Sequence, residues 1–242
     1  MWPSASPSAA GWAGSRAASP HPRLPPPDTM RLLLLDHGSC DHDHTRVHHR
    51  RADLGRLGIA AAVCGPSSIP QLEQPNDGMY GIHLHAIAAA SHRFLAAVRE
   101  GSAESLLSVV PSLSPRLLGL VRETARQLIA EAVDATDPDV IFVMHAGLLA
   151  DLAAETGVPV VVHVAQTDLT AAAAKPLMRT LVGRALGSCE TVIAADTAAA
   201  DMLRAGWIEP DDTEPLDVWP LGPTCAEQIA SACRTALTRR RG

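Results

Sequence analysis

The fold class is decided by two neighbouring stretches of the chain, Asp139-Val-Ile-Phe-Val-Met-His-Ala-Gly147 and Val158-Pro-Val-Val-Val-His-Val-Ala-Gln-Thr-Asp-Leu169. Each is a short, continuously apolar, β-branched run that ends in small and polar residues, which is typical of a strand buried on both faces of a parallel sheet. In an open α/β sheet, ligands bind in the crevice beyond the carboxyl ends of the strands. The sequence therefore predicts that a site is bordered by the residues that end these runs: His145, Ala146, Gly147, Gln166, Thr167 and Asp168.

Length and composition limit the class of protein. A chain of 242 residues can bury one good core, and we expect one globular domain. The net charge of -6 argues against nucleic acid as the main partner, because phosphate binding needs clustered Lys and Arg. No apolar run approaches the roughly 20 residues that cross a bilayer, so no membrane span is expected. The 5 cysteines are widely spread without a CxxC pair, which favours reduced thiols in a cytoplasmic protein.

The chain divides into three predicted regions. Residues 1–29 are rich in Pro, Ser and Ala and lack the apolar core of a signal peptide, so we expect a disordered extension. Met30 begins a run typical of a first strand and is a candidate for the true start of the protein. Residues 30–223 are predicted to form the folded domain, and residues 224–242 a closing helix with a solvated basic tail.

Apolar runs and helical periodicities alternate along the chain. Strands are predicted at 31–35, 59–64, 79–86, 140–144, 160–164, 190–195 and 217–220. Helices are predicted from Asp41 or Asp43 to Leu57 and at 88–98, 115–135, 148–156, 175–186, 197–205 and 224–238, while 101–114 stays ambiguous. This alternation predicts an α/β fold with one doubly wound, Rossmann-like parallel sheet and helices on both faces.

The sequence also predicts where the second strand ends and which side chains of two helices face the core. Gly65-Pro66 is expected to close the second strand, which the apolar run 59–64 forms. Helical periodicity also predicts which side chains face the core. They are Val47, Leu54 and Leu57 in the first helix, and Leu117, Leu120, Val121, Leu128, Ile129 and Ala132 in the long helix.

Four segments resemble a known family in their order and spacing. After the first strand they are RLGIAAAVCGP (56–66), DPDVIFVMHAGLLADLAAETGVPVVVHVAQTDL (137–169), ALGSCETVIAADTAAADMLRAGW (185–207) and LDVWPLGP (216–223). Together they resemble the N-terminal half of family 4-type glycosyltransferases, which have two Rossmann domains in the GT-B arrangement. The family's "HGTDL"-like, "ADxVIAxS" and "PNGVD" segments correspond to residues 159–169, 189–196 and 220–223.

The resemblance implies a function. In this family the N-terminal half holds the acceptor, and a second Rossmann domain binds the nucleotide-sugar. Nothing after Pro223 is long enough to supply that second domain, so a separate donor-domain subunit is a possible partner. We expect transfer of a sugar from a nucleotide-sugar to a small acceptor, incomplete without the partner, and no cofactor. A non-catalytic Rossmann-like binding or regulatory module is the alternative.

The resemblance and the strand ends together give a set of site residues. His145 and Asp168 are expected to be catalytic. Acceptor binding is expected from His37, Gly38, His83, His85, Gly147, Gln166 and Thr167. Simpler roles stay open, since His145 can bond a neighbouring carbonyl, and Asp168 or Thr167 can cap a helix or turn.

Two departures from the family affect the site. The loop after the first strand contains Gly38 as its single glycine, which hinders close approach of the backbone to a pyrophosphate. Ala165 stands where many members have a histidine. His163 lies two residues earlier on the same face of the strand but deeper in the sheet.

The densest group of polar residues follows the first strand. It comprises Asp36, His37, Cys40, Asp41, His42, Asp43, His44, His48 and His49. His44 and His48 share one helix face, the spacing that lets paired histidines bind a metal ion. A metal-dependent hydrolase is thus a third possibility, but a hydrated loop is favoured because no third ligand has a diagnostic spacing. The absence of GxGxxG after the first strand argues against an NAD enzyme.

Overall fold

The computed structural model describes residues 29–38, 46–67, 78–84, 87, 91–207, 217–218 and 225–241. Within these ranges the chain forms one parallel sheet of 7 strands in the order β3-β2-β1-β4-β5-β6-β7. The strands are β1 (Arg31–Asp36), β2 (Ala60–Ser67), β3 (Met79–His83), β4 (Val140–Met144), β5 (Val160–Val164), β6 (Thr191–Ala194) and β7 (Asp217–Val218). The order reverses between β1 and β4, which is the switch point of a doubly wound Rossmann-like sheet. The predicted fold class is confirmed.

The described helices cover both faces of the sheet. They are α1 (Arg46–Arg56), α2 (His92–Glu100), α3 (Ala103–Val109), a 3-10 turn (Val110–Ser112), α4 (Pro115–Thr136), α5 (Ala150–Ala154), α6 (Gln166–Ala174), α7 (Pro176–Ser188), α8 (Thr197–Gly206) and α9 (Cys225–Arg241). Side chains from α2 to α8 form one core with Leu33, Ile141 and Val162. Those from α1 and α9 form a second core against the opposite face, with Leu34 and Phe142.

The central strands agree closely with the sequence. β4 and β5 have the predicted bounds, and all five residues of each are buried. They neighbour each other, with Met144 paired to His163 at their carboxyl ends. Burial on both faces explains why these runs are continuously apolar, because a strand in the middle of such a sheet has no solvated side.

The prediction that Gly65-Pro66 closes the second strand is wrong. β2 continues to Ser67 and pairs Pro66 with Ile82 of β3. Its pairing with β1 ends earlier, at Leu35 and Cys64. From Gly65 onward β2 therefore has a neighbour on one side only, so the missing N–H of proline costs no bond to β1.

Two apolar side chains predicted to face the core do not. Leu57 is 40% exposed and Leu120 is 50% exposed. Leu57 lies one residue beyond the end of α1, next to Gly58, whose φ of 73° turns the chain out of the helix. On α4 the buried stripe runs through Leu117, Val121, Ala125, Ile129 and Ala132, and Leu120 lies beside it. Alanine at 125 gave too weak an apolar signal to indicate the correct register.

The ambiguous stretch after Gly101 is α3 and the 3-10 turn that follows it. The sequence prediction also missed α6, whose Thr and Ala residues give almost no amphipathic periodicity. Some predictions concern residues outside the described ranges: the disordered extension at 1–28, the Asp caps of α1, and His85. Among the described residues, no helix is long and apolar enough to span a membrane. The described cysteines Cys64, Cys189 and Cys233 are free thiols.

Candidate functional site

His145 and Asp168 meet beyond the carboxyl ends of β4 and β5. His145 follows β4 directly, and Asp168 lies in the first turn of α6, which begins two residues after β5. The strands are parallel neighbours, so these two positions fall at the same edge of the sheet. The Nδ1 atom of His145 lies 3.1 Å from Oδ1 of Asp168. The two residues expected to be catalytic thus form a hydrogen-bonded pair.

Asp168 is fully engaged by its own protein. Its Oδ2 accepts hydrogen bonds from the backbone N–H groups of Ala146, at 3.2 Å, and Ala165, at 3.0 Å. Its side chain has no solvent exposure, whereas that of His145 is 15% exposed. Asp168 therefore caps α6 and orients His145 at once. It is too enclosed to touch a substrate directly.

The turn after β4 is held by side chains from other elements. Nε2 of His37 accepts a hydrogen bond of 3.1 Å from the backbone N–H of Leu149. Arg122 on α4 donates from Nη1 to the carbonyl of Leu148 at 3.0 Å. Within this turn His145 has a φ of 129°, a backbone conformation that favours glycine. Such a conformation costs on the order of 1–3 kcal/mol and persists only where the surroundings impose it.

Because of this backbone strain, glycine is expected to be more stabilising than alanine at position 145, which is the reverse of their order in a helix. The variant His145→Gly is expected to be about 1 kcal/mol more stable than His145→Ala, because both lose the imidazole but only glycine relaxes at this φ. Urea unfolding of the two variants measures the difference. At the exposed helical position Ala173, glycine is expected to cost about 1 kcal/mol instead. Equal or reversed stabilities at position 145 would show that the turn is unstrained.

His37 is buried beside this pair. Its ring meets the ring of His145 edge to face, with centroids 5.8 Å apart and an interplanar angle of 86°. Burial, together with the positive charge that His145 can carry, lowers the pKa of His37 to about 3. A neutral imidazole that accepts through Nε2 carries its proton on Nδ1. His37 is 1% exposed, so its position supports a role in holding the turn rather than the expected direct contact with an acceptor.

The electrostatics of the pair favour charge on both partners. Burial disfavours the charged form of His145, but the hydrogen bond and negative charge of Asp168 outweigh it and raise the pKa of His145 above its usual 6.5. Burial also opposes the charge of Asp168. The hydrogen bond and charge of His145 and the N–H of Ala165 outweigh that effect and lower the pKa of Asp168. Since Asp168 bonds Nδ1, the nitrogen of His145 that is left to exchange a proton with a ligand is Nε2.

An open groove lies between α3 and α6, and Asp168 is the member of the pair that lines it. It encloses about 450 Å³, which is within the range of small-molecule sites. Gln166 and Thr167, for which acceptor binding is a prediction, line this groove together with Asp168. Nothing in the sequence indicated the other wall, because the helical character of the stretch that forms α3 was ambiguous. Leu107 of α3 lines the groove on that wall.

The two glycines of the expected site lie where side chains would clash. A Cβ on Gly147 would come within 2.5 Å of Cδ2 of Leu107 and 3.6 Å of Nε2 of His37. A Cβ on Gly38 would lie 3.2 Å from the carbonyl oxygen of Gly101. Both glycines therefore allow the loops after β1 and β4 to approach α3. Gly147 packs against Leu107 and His37, and Gly38 packs against the turn that precedes α3.

His83 is not brought to the pair. It ends β3, the edge strand, and the order β3-β2-β1-β4 places it three strands from β4, roughly 14 Å away. Its expected role in the same site as His145 is therefore not supported by its position. His85 lies outside the described residues.

The histidine-rich loop after β1 is described only in part. Asp36, His37, His48 and His49 are described, and the members from Cys40 to His44 are not. Among the described residues, no group of three or more His, Cys, Asp or Glu side chains is arranged to hold a metal ion. Nε2 of His37 is not available to a metal ion, since it accepts a hydrogen bond from the backbone N–H of Leu149.

The fold and site define a class: an α/β protein with a Rossmann-like parallel sheet and a His–Asp pair at its switch-point edge. No family model and no curated protein matches the sequence. The chain is similar to a putative UDP-N-acetylglucosamine 2-epimerase from Listeria monocytogenes, with 11% identity, a TM-score of 0.46, and coverage of 81% of this chain and 46% of that one.

Two further solved structures give comparable values. UDP-GlcNAc 2-epimerase from Neisseria meningitidis bound to UDP-GlcNAc is 14% identical, with a TM-score of 0.42 and coverage of 88% of this chain and 52% of that one. Glycyrrhiza uralensis UGT73P12 complexed with glycyrrhetinic acid 3-O-monoglucuronide is 14% identical, with a TM-score of 0.41 and coverage of 86% and 52%. This chain thus spans about half the length of these proteins. At such TM-scores the similarity decides nothing further, and the class follows from the strand order and the site.

Proposed function

We propose that this chain is the acceptor-side part of a glycosyltransferase-like enzyme that transfers a sugar from a nucleotide-sugar to a small hydroxylated acceptor. The observation that carries the proposal is the hydrogen bond of 3.1 Å between Nδ1 of His145 and Oδ1 of Asp168, at the edge of the sheet where ligands bind. A groove of about 450 Å³ beside this pair offers space for the acceptor.

In the proposed reaction His145 acts as the general base. Its Nε2 takes the proton of an acceptor hydroxyl while that oxygen forms the new bond to the anomeric carbon of the sugar. The bond from the same carbon to the diphosphate breaks, and the nucleoside diphosphate leaves with the electron pair. Asp168 keeps the Nδ1 proton in place and stabilises the imidazolium that forms. Asp168 is a positioning residue, because it is enclosed and contacts the substrate only through His145.

The donor is proposed to be bound by a second Rossmann domain in a separate subunit. This part of the proposal follows from the family resemblance, in which donor and acceptor are held by different domains. Calorimetric titration of the chain with UDP-sugars and GDP-sugars, alone and with the products of neighbouring genes, tests it. The expected result is weak or no binding by the chain alone and binding in the presence of a donor-domain subunit. Absence of nucleotide-sugar binding in every combination would refute the proposed function.

The proposed role of His145 as the base predicts how its removal changes sugar transfer by the chain and a donor-domain subunit together. His145→Ala is expected to lower the rate of nucleoside diphosphate release about 100-fold, because proton transfer by a positioned side chain contributes about that factor. The matched control is His92→Ala, which removes an exposed histidine from the start of α2. A rate unchanged in His145→Ala would exclude His145 as the base.

The pH dependence separates the base role from an acid role. The base must be neutral, so the rate is expected to rise with pH through the raised pKa of His145. In Asp168→Asn the hydrogen bond and charge that raise this pKa are lost, and the rising limb should move to lower pH. A rate that falls across the same range would instead indicate that protonated His145 donates to the leaving diphosphate.

A further inference from the structure

The groove between α3 and α6 has walls of different chemistry along its length. Leu107 and Pro111 line one side, and Ala171 and Ala174 line the other, so its middle is mostly apolar, with Ser108 and Thr170 as the polar residues there. Buried Asp168 lies at the end next to His145. Lys175 lies at the other end of the same wall, immediately after the last residue of α6.

The length of the groove follows from the geometry of α6. Asp168 and Lys175 are seven positions apart, and a helix rises 1.5 Å per residue, so they are separated by about 10 Å along the axis. The other wall runs in the same direction. Glu104, near the start of α3, is close enough for its charge to act on His145. The 3-10 turn that contains Pro111 contacts α7, the helix that follows Lys175.

The groove is therefore electrically polarised. Its negative groups, Glu104 and Asp168, belong to the end near His145, where the charge of His145 offsets that of Asp168 and Glu104 remains as the net negative charge. Its positive group, Lys175, belongs to the far end and is the only lysine of the chain. Within the part of the chain that the structure describes, no salt bridge engages Lys175. A ligand is favoured when its own charges are complementary to these.

We propose that the acceptor is an elongated apolar hydroxy acid, with its hydroxyl at the end of the groove where Asp168 meets His145, its apolar body between α3 and α6, and its carboxylate at Lys175. This assignment rests on the proposed function, because it names the acceptor class of that same crevice. The carboxylate is kept away from Glu104 and Asp168 by the length of the groove. A separation of about 10 Å between the hydroxyl and the carboxylate fits the distance from Asp168 to Lys175.

The test is direct binding of two probes to the full chain, without a sugar donor. Calorimetry with ω-hydroxydecanoate and with 1-decanol compares the same apolar length with and without the carboxylate. The acid is expected to bind about three- to fivefold more tightly at low salt, the range of an exposed ion pair, and to lose this advantage as salt is added. Equal or weaker binding of the acid, or no binding of either probe, would overturn the proposal.

Three variants locate the binding. Lys175→Gln is expected to remove the preference for the acid and leave the affinity for 1-decanol unchanged. Arg93→Gln, which removes one exposed positive charge from α2 outside the groove, is the matched control and should keep the preference. Ala174→Trp places a large ring in the groove from an exposed helical position and should weaken both probes at least tenfold. Unchanged binding in Ala174→Trp would place the probes elsewhere and refute the assignment.

The test of the acceptor class and the test of sugar transfer can give different results. Binding of the acid with the expected response of Lys175→Gln, but no nucleotide-sugar binding in any combination, would support the ligand class and refute sugar transfer. Nucleotide-sugar binding together with indifference to the carboxylate would support transfer and overturn this acceptor class.

Discussion

Replacing Arg122 by methionine is expected to lower the free energy of unfolding by about 3 kcal/mol, because it leaves the carboxylate of Asp151 buried without a counter-charge. Nη1 and Nη2 of Arg122 lie 3.1 Å and 2.7 Å from the two oxygens of Asp151. The two side chains are only 12% and 8% exposed. Chemical denaturation monitored by circular dichroism measures the loss.

The same helix provides the matched control. Arg126, one turn further along α4, pairs with Glu155, but these side chains are 40% and 48% exposed. Arg126→Met is therefore expected to cost less than about 1 kcal/mol. The double variant Arg122→Met, Asp151→Leu should recover most of the stability, since removing both charges of a buried pair is often neutral. Equal losses in Arg122→Met and Arg126→Met would show that burial of the first pair has no consequence.

The Arg122 pair also links stability to the site. The same guanidinium donates to the carbonyl of Leu148, inside the turn that holds His145 in its strained conformation. In Arg122→Met this turn loses one of its anchors. We therefore expect His145→Gly and His145→Ala to differ less in the Arg122→Met background than in the wild-type chain, which denaturation of the double variants measures.

Acidification from pH 7 to 4.5 is expected to lower the free energy of unfolding by about 5 kcal/mol through two buried histidines, His37 and His163. Burial is the main cause that lowers the pKa of each to about 3, and the charge of His145 adds to it. In the unfolded chain both titrate near 6.5 and take up protons that the folded protein does not. Each therefore lowers stability by about 1.4 kcal/mol per pH unit below 6.5, until its folded pKa is reached.

His145 contributes with the opposite sign. Its pKa is raised in the folded protein, so its stabilisation is complete below 6.5 and is lost as the pH rises through the raised value. Asp168 has a lowered pKa, and its contribution is lost only at more acidic pH. The two neutral histidines therefore dominate between pH 6.5 and 4.5, and stability falls.

Variants at His163 test this account. His163 is 4% exposed and its ring stacks on Phe142, so His163→Leu removes the titrating group while keeping an apolar contact. We expect the pH slope of the unfolding free energy between 6.5 and 4.5 to fall by about half in this variant. His92→Leu is the same replacement at an exposed position and should keep the wild-type slope. A slope unchanged in His163→Leu would mean that this ring is protonated in the folded protein.

Much of the site was predictable from the sequence, because the carboxyl ends of β4 and β5 were predictable. The continuous apolar runs at β4 and β5 identify buried parallel strands, and neighbouring parallel strands end at one edge of the sheet. From this alone His145 and Asp168 were expected to lie close together. The roles of the individual groups were not predictable. Whether Asp168 faces a ligand or His145 depends on the turn of α6, which the Ala-rich sequence of that helix did not indicate.

His37, His83 and Lys175 illustrate the same limit. His37 follows β1 and His83 ends β3, so the same role was predicted for both from the sequence. The strand order places His37 against His145 and His83 on the outermost strand, β3. No function was predicted for Lys175 from the sequence, because a single lysine forms no motif with a characteristic spacing. Its position at the end of the groove follows from how α3 packs beside α6, a contact between segments about 60 residues apart in the chain.

The amino-acid sequence by itself determined the α/β class, the two central strands and the edge of the sheet at which polar groups collect. This was possible because a strand that is buried on both faces needs a continuous apolar run, which can be recognised within a few residues. The tertiary structure decided the strained turn at His145, the anchoring by Arg122 and His37, and the polarised groove. These depend on contacts between distant segments, where a side chain's environment is set by what packs against it.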